Sequence, residues 1–326
     1  MARCLELARL GTYYVAPNPM VGAVLVWEKE QERRQGSEIK DGIIIGEGWH
    51  QQYGGAHAEV NCFKDVSAVD EVKISQSTLF VNLEPCSHYG KTPPCADLII
   101  RKGVKKVVIG QLDPNPKVSG QGVQRLRNAG IEVVVGVLEK ECRELNKRFL
   151  CLHELHRPYI TLKWAQTADG FIDYKRFQRG LNDTNKPLVI STPMHKRVVH
   201  RLRAENMAIM VGTNTAILDN PKLKTTHWAG RNPIRIVLDR NHRIPTDSNI
   251  FSDDAETIVY RDNTDWAYIV ADLTQRGIHS VLVEGGSQLI NHILSVGIWD
   301  EAQIEVSNER IEDGIEAPKI GITSII

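Results

Sequence analysis

Excess charge of either sign is missing from this sequence. Its 326 residues hold 40 Lys and Arg against 40 Asp and Glu, for a formal net charge of zero. A surface that grips a polyanion needs a basic excess, so nucleic acid is not an expected partner; a small pocket for one phosphate stays open. Long apolar runs are missing too. None approaches the roughly 18 residues that a membrane-spanning helix needs, and no membrane partner is expected. The opening MARCLELARLG reads as an amphipathic helix, without the apolar core or A-x-A site of a signal peptide. Cysteine is sparse, with six in the chain. That excludes a disulfide scaffold and points to a reducing, cytoplasmic setting. Internal repeats, low-complexity tracts and a G-x-G-x-x-G fingerprint are all lacking, which removes solenoids and the usual dinucleotide fold.

What is present is an alternation of strand and helix patterns, run twice. Val21–Trp27 reads as a strand, Glu28–Asp41 as a solvated hairpin loop, and Gly42–Gly46 as the returning strand. A helix follows over Ala56–Val66, a strand over Thr78–Leu83, and a helix over Cys95–Lys102 that opens after Pro93-Pro94. Strands at Lys106–Gly110 and Ile131–Val135 enclose a helix near Gly120–Ala129. The charged, helix-like stretch Glu139–Arg157 ends at Pro158 and holds the expected boundary, near residue 147. The units are then 1–146 and 147–326. In the second, strands are expected at Tyr159–Trp164, Met207–Gly212, Ile234–Asp239, Thr257–Tyr260, Ser280–Glu284 and Glu301–Val306, with a helix at Pro193–Ala204 and another after Gly285-Gly286. This alternation predicts layered α/β domains with largely parallel sheets.

The chemistry concentrates in the first unit. His57-Ala58-Glu59 precedes Pro85-Cys86 and Pro94-Cys95. One imidazole and two thiolates make three zinc ligands, the number a catalytic zinc uses, with the fourth tetrahedral position left for water. Cys95 at a helix start and Cys86 after a strand end are both disposed to be thiolates. Glu59 is placed to move protons rather than to bind metal. A closed structural zinc with His88 as fourth ligand is the competing reading; the helix opening at His57 and the lack of C-x₂-C pairs weigh against it. His50 reads as a surface or pocket-rim residue and Cys62 as core. Cys4, Cys142 and Cys151 read as ordinary reduced residues. The pair Gly285-Gly286, between a strand and a helix, reads equally as a phosphate cradle or a tight turn.

The His-x-Glu and paired Pro-Cys pattern resembles the zinc-dependent nucleobase deaminases, whose usual short form is H-x-E followed by P-C-x-x-C. Here residues 87–94 separate the two cysteines, and that longer loop narrows the resemblance. APNPMVGAVLV, GEGWHQQYGGAHAEV, LEPCSHYGKTPPC and QLDPNPKVSGQGVQRLRNAGIEV resemble the deaminase half of the bifunctional riboflavin-biosynthesis deaminase/reductases. YITLKWAQTADG, RLRAENMAIMVGTNTAILDNPKL, NPIRIVLD and VLVEGG resemble their reductase half. The resemblance covers essentially the whole chain. It implies a cytidine-deaminase-like three-layer α/β/α domain followed by a dihydrofolate-reductase-like α/β domain. It also implies two steps on one phosphorylated aminopyrimidine. Zinc-dependent deamination of 2,5-diamino-6-ribosylamino-4(3H)-pyrimidinone 5′-phosphate comes first, and NADPH reduction of the ribosyl group to ribityl follows.

By motif position, the resemblance makes His57, Cys86 and Cys95 the zinc ligands and Glu59 the proton shuttle. Asn18, in the APNP turn, becomes a hydrogen-bonding partner of the pyrimidine or simply a turn former. Ala165, Thr215 and Asp219 match cofactor contacts, with Gly286 beside them. Arg203, Leu223 and Glu284 match substrate contacts. A homo-oligomer is expected. Departures occur in the second half. The family's arginine three residues past Leu223 is Thr226 here, with Arg231 as a candidate replacement. Pro187 and Val189 stand where a Ser/Trp pair is usual. Two further readings follow: a deaminase with a degenerate reductase domain, and a nucleic-acid deaminase of the tRNA-editing type.

Overall fold

The computed structural model describes residues 1–28, 42–89, 93–115, 119–176 and 186–321. Most of the expected Glu28–Asp41 loop lies outside these residues, as does Lys91, a candidate phosphate contact in the loop between the two Pro-Cys pairs. The chain divides into two compact units, Met1–Leu155 and His156–Ile326. The expected boundary falls one helix too early. The helix Lys147–Leu155 packs against the one before it and closes the first unit.

The first unit contains α1 (Ala2–Arg9), β1 (Gly22–Glu28), β2 (Gly42–Trp49), α2 (Ala58–Asp65), β3 (Ser77–Leu83) and α3 (Cys95–Lys102). β4 (Lys106–Gln111), α4 (Gln121–Asn128), β5 (Glu132–Val135), α5 (Glu139–Leu145) and α6 (Lys147–Leu155) complete it. Its sheet has the order β2-β1-β3-β4-β5. β3, β4 and β5 are parallel, but β1 is antiparallel to both neighbours, so the expected largely parallel sheet is mixed here. Only the pairs joined across α3 and α4 have the helical crossover that parallel strands require.

Strand alternation sorts the side chains into two faces. Ala23, Leu25, Leu79 and Val81 pack with Ala58, Cys62, Ala96 and Ile99 of α2 and α3. Val24 and Phe80, one residue out of phase, pack with Cys4 and Leu7 of α1. The result is helix, sheet, helix. Two glycines let α2 lie close on β2. A Cβ at Gly48 would stand 2.2 Å from the Cys62 nitrogen and 2.5 Å from the Ala58 oxygen. One at Gly46 would stand 2.6 Å from the Cys62 oxygen.

The second unit contains β6 (Tyr159–Gln166), β7 (Phe171–Asp173), α7 (Pro193–Glu205), β8 (Ala208–Gly212), α8 (Thr213–Leu218) and β9 (Ile234–Leu238). β10 (Thr257–Tyr260), α9 (Trp266–Gln275), β11 (Ser280–Val283), α10 (Ser287–Val296), β12 (Glu301–Val306) and β13 (Ile315–Glu316) follow. The main sheet has the order β10-β9-β8-β11-β6-β12 and every pairing in it is parallel. β7 and β13 form a separate antiparallel ribbon. Alternation again divides the core. Ala208, Met210 and Ile236 face α9 and α10. Ile209, Val211 and Val237 face the other side, with Ala216 and Leu223.

Candidate functional sites

His57 is the N-cap of α2, in extended backbone, so its ring leaves the helix end while Glu59 sits in the first turn. Cys86 follows the buried end of β3, and Cys95 is the first residue of α3 after Pro94. These elements bring three ligand atoms within 4.8 Å of one another. His57 Nδ1 lies 3.6 Å from Cys86 Sγ and 3.3 Å from Cys95 Sγ. The Cys95 backbone N–H donates to Cys86 Sγ at 3.2 Å, and the Ala96 N–H to the Cys86 carbonyl at 3.1 Å. The donor set, two sulfurs and one imidazole nitrogen converging from three elements, fits a zinc ion. His88 is exposed and outside this group, so the closed Cys₂His₂ arrangement is not formed.

Charge at the site follows from this packing. The hydrogen bond from Cys95 and the nearby His57 hold the Cys86 thiol down to about 4, while the shared proton and burial push Cys95 up. His57 is raised, first by its hydrogen bond with Cys86. Glu59 is 3% exposed. Burial pushes its carboxyl up, and the Cys86 sulfur adds to the shift. A carboxyl so placed can hold a proton beside the ligand atoms.

Asn18 is attached to the same region through a residue that the sequence misassigns. His50 is 3% exposed, not a rim residue. Its Nδ1–H donates to the Ala56 carbonyl (3.0 Å), which leaves Nε2 to accept from Asn18 Nδ2 (3.0 Å). Burial lowers its pKa, which disfavours the charged ring. Its centroid lies 5.8 Å from that of His57. Cys62 is core as expected, and Cys4, Cys142 and Cys151 are buried cysteines. Glu84, in LEPC, also carries no outward signal. Its buried carboxylate accepts N–H groups of Asp113 (3.1 Å), Gly120 (2.9 Å) and Val123 (3.1 Å), which fixes the start of α4 behind Cys86.

The second unit holds an open cavity of about 930 Å³ at the carboxyl ends of its parallel strands. Ligands of open α/β sheets bind at such ends. Ala165, Thr215, Asp219, Gly286, Arg203 and Glu284 all line it. Leu223 does not. Its side chain is 3% exposed, in the core beneath α8. Val189 stands on the cavity wall, and Ser191 nearby donates its hydroxyl to Glu305 at 2.6 Å. Thr226 and Arg231 are exposed and not among the lining residues.

Gly286 opens α10, whose first N–H groups have no side-chain cap. The Gly212 N–H donates to the Gly285 carbonyl at 2.9 Å, and a Cβ at Gly286 would stand 3.1 Å from Thr215 Oγ1. Bare backbone, a hydroxyl and a helix N-terminus fit the phosphates of a dinucleotide. Arg203 is not a free cation. Its Nε and Nη2 donate to the two Glu284 oxygens at 2.8 and 2.6 Å, and Nη1 donates to the Lys224 carbonyl. Burial would raise the Glu284 carboxyl, but Arg203 outweighs it and holds it below the usual range. Asp219 accepts from Arg176, which also pairs with Asp173.

Residues 1–111 match the family model of the cytidine and deoxycytidylate deaminase zinc-binding region, and residues 158–307 that of the RibD C-terminal domain. The riboflavin biosynthesis protein RibD of Aquifex aeolicus is 37% identical over 347 residues, covering 100% of this chain and 90% of that protein. RibD of Escherichia coli is 34% identical, over 94% of this chain and 86% of that protein. The solved diaminohydroxyphosphoribosylaminopyrimidine deaminase/5-amino-6-(5-phosphoribosylamino)uracil reductase of Thermotoga maritima superposes with a TM-score of 0.82 at 38% identity, over 97% of this chain and 88% of that chain. The first unit thus has the cytidine-deaminase-like fold, and the second the dihydrofolate-reductase-like fold.

Proposed function

The chain belongs to the RibD family of riboflavin biosynthesis proteins, a bifunctional deaminase and NADPH-dependent reductase, and from that premise we propose how its residues divide the work. His57, Cys86 and Cys95 hold zinc. Zinc there supplies a nucleophile at neutral pH by acidifying water. Glu59 accepts a proton from the attacking water and passes it to the pyrimidine ring nitrogen; it then takes the proton of the added hydroxyl as the carbonyl forms and delivers it to the amino group, which leaves as ammonia when the C–N bond breaks. Its burial suits both directions, because a raised pKa brings the acid and base forms closer in energy near neutrality. Asn18, held by His50, hydrogen-bonds the ring. The substrate is 2,5-diamino-6-ribosylamino-4(3H)-pyrimidinone 5′-phosphate.

In the second unit Thr215, Gly286 and the start of α10 hold the cofactor, with Ala165 and Asp219 beside them. Glu284 faces the substrate, and Arg203 fixes that carboxylate rather than reaching the phosphate itself. The product is the ribityl compound. No helix of the described residues is long and apolar enough to cross a membrane. We place the protein in the cytoplasm, where reduced thiols and NADPH coexist. It acts as a homo-oligomer without a nucleic-acid partner.

The observation that carries this reading is the convergence of three ligand atoms beside the buried Glu59. Its test is a coupled assay on the purified protein with zinc content measured in parallel. Ammonia release followed by NADPH oxidation is expected. Ammonia release alone would restrict the function to deamination, and activity only on RNA would replace the substrate. Sedimentation gives the oligomeric state.

A further inference from the structure

β12 is the edge strand of the main sheet in the second unit, beside β6. A glutamate on an edge strand is ordinarily a solvated guard against pairing with other chains. Glu305 is not. Ala302 and Ile304 pack on the core, so alternation turns Glu305 to the opposite face. Its register partner is Ala165, and that of Gln303 is Lys163. Ala165 and Lys163 both line the cavity. The Glu305 side chain is 13% exposed, and each of its oxygens has a partner. Oε2 accepts the Ser191 hydroxyl at 2.6 Å, and Oε1 accepts the His195 Nδ1–H at 2.8 Å.

Both partners come from the stretch that leads into α7. Residues 188–191 all line the cavity and belong to no helix or strand, so no ladder of backbone bonds fixes them. Two carboxylates hold the stretch instead. At one end Asp173 Oδ1 accepts the Leu188 N–H at 2.9 Å, and Asp173 is itself held by Arg176, whose Nε donates to it at 2.7 Å. At the other end Glu305 takes Ser191. His195 extends that grip into the first turn of α7, where the N-cap Thr192 accepts the His195 backbone N–H at 3.2 Å. Between the two clamps stand Leu188, Val189 and Ile190. Their side chains offer a ligand shape and no charge, so where they stand decides what they contribute.

We propose that Glu305 is a positioning residue of the reduction: it clasps Ser191 and His195 so that residues 188–191 stand as the wall that aligns the ribosyl group against the cofactor. This rests on the reductase reading. Lys163 and Ala165 lie on β6, next to β12, and Glu284 follows β11 on the other side of β6, so this wall flanks the end of the cavity where the substrate-facing carboxylate stands. A misplacement of about 1 Å in such an alignment costs up to about 100-fold in rate. A partly exposed Glu–His pair contributes little to stability by itself. The effect of Glu305 therefore falls on turnover.

Steady-state reduction of the deaminated pyrimidine phosphate, NADPH binding by titration calorimetry and thermal unfolding are measured on the full-length protein, for the native sequence, E305A, E305Q and H195A. In E305A kcat is expected to fall about 10- to 100-fold, while KM for the pyrimidine moves less than about threefold and the Kd for NADPH less than about twofold. E305Q recovers most of kcat, because an amide oxygen accepts the Ser191 hydroxyl and the amide N–H donates to the other tautomer of His195. H195A, which loses half of the clasp, shows a smaller fall. Adding Ser191→Ala to E305A costs little more than E305A alone, since both act on one contact. An unchanged kcat in E305A overturns the inference. So does a parallel loss of kcat, NADPH affinity and unfolding temperature, which would make Glu305 a support of the fold only. A kcat as low in E305Q as in E305A overturns it too, because charge rather than the clasp would then matter. Should E305A not fold, H195A decides, and an unchanged kcat there overturns the inference. A native protein that reduces nothing overturns the reductase reading itself, and this inference with it.

Discussion

The zinc centre and the reductase cleft solve opposite problems. The first gathers three ligand atoms within 4.8 Å, each at an element end. The second lays its groups along the ends of several strands around about 930 Å³. A metal needs a few donor atoms of fixed type, so its requirement is written into side-chain identity and spacing. A dinucleotide is held largely by backbone N–H groups, which many sequences can present. Substitutions should therefore act sharply in the first unit and by degrees in the second.

The largest effect tests whether that division is real. Cys86→Ser removes one of three ligands and should abolish both zinc retention, read by metal analysis, and ammonia release. NADPH-dependent reduction of the already deaminated intermediate should persist. A zinc-free protein, folded by circular dichroism, that reduces nothing would show that the two chemistries are not separable. Glu59→Gln comes next. It should retain zinc and lose deamination by about 10²–10⁴-fold. Loss of zinc in this variant would make Glu59 a ligand.

The same contrast explains what could be read from the sequence. His57, Glu59, Cys86 and Cys95 were legible because their types and spacing carry the chemistry. The elements around them were legible from apolar alternation and from Pro93-Pro94. The antiparallel setting of β1 was less so, since a strand's own pattern does not name its neighbours. His50 looked like a rim residue in the polar run WHQQYGG, and only the fold shows that it bridges Asn18 and Ala56. Arg203 and Glu284 lie far apart in sequence, so their pairing, and its consequence for the phosphate, had no local signal. The boundary moved because α6 is charged outside yet buries Leu150 and Cys151.

That Arg203–Glu284 pair gives the next effect. Its side chains are 15% and 11% exposed. Glu284→Ala leaves a buried arginine without its partner, a loss of about 3–5 kcal/mol. The unfolding transition that NADPH shifts should fall, and reduction should be impaired. The pH dependence has a definite sign. A carboxyl held low in the folded state stabilises fully above its unfolded pKa, and the contribution is lost as pH falls through the lower folded value. Acid should therefore destabilise this transition below the ordinary Glu range, near about 4.3. Glu284→Gln should remove that part of the slope.

A subtler change tests whether the zinc centre depends on the backbone beneath it. Gly48→Ala places a Cβ against the α2 backbone, 2.2 Å from the Cys62 nitrogen. The helix must shift, at a cost of about 1–3 kcal/mol, and it carries both His57 and Glu59. Zinc should dissociate faster in a chelator competition, while reduction stays unchanged. Unaltered zinc release would mean that the His57 end of α2 is held independently of its packing on β2.

The smallest expected effect is a gain, and it probes how gradual the cleft is. Thr226 stands where the family resemblance of the sequence leads one to expect an arginine. Its backbone N–H donates to His200 Nδ1 at 2.9 Å, and His200 lines the cavity on α7 beside Lys196 and Arg203. Arg203 is neutralised by Glu284, which leaves this wall with less free positive charge than its residue types suggest. An arginine at 226 starts from a backbone already fixed to that wall and is long enough to reach past His200. Exposure limits what it adds, because water and salt screen a surface pair. Thr226→Arg should lower the KM of the reductase step for the phosphorylated substrate severalfold, leave kcat and NADPH affinity unchanged, and lose its advantage at high salt. No gain in this variant, together with a large rise in KM for Arg231→Ala, would mean that Arg231 already supplies the charge from the neighbouring loop, where its carbonyl accepts the Thr225 hydroxyl at 3.2 Å.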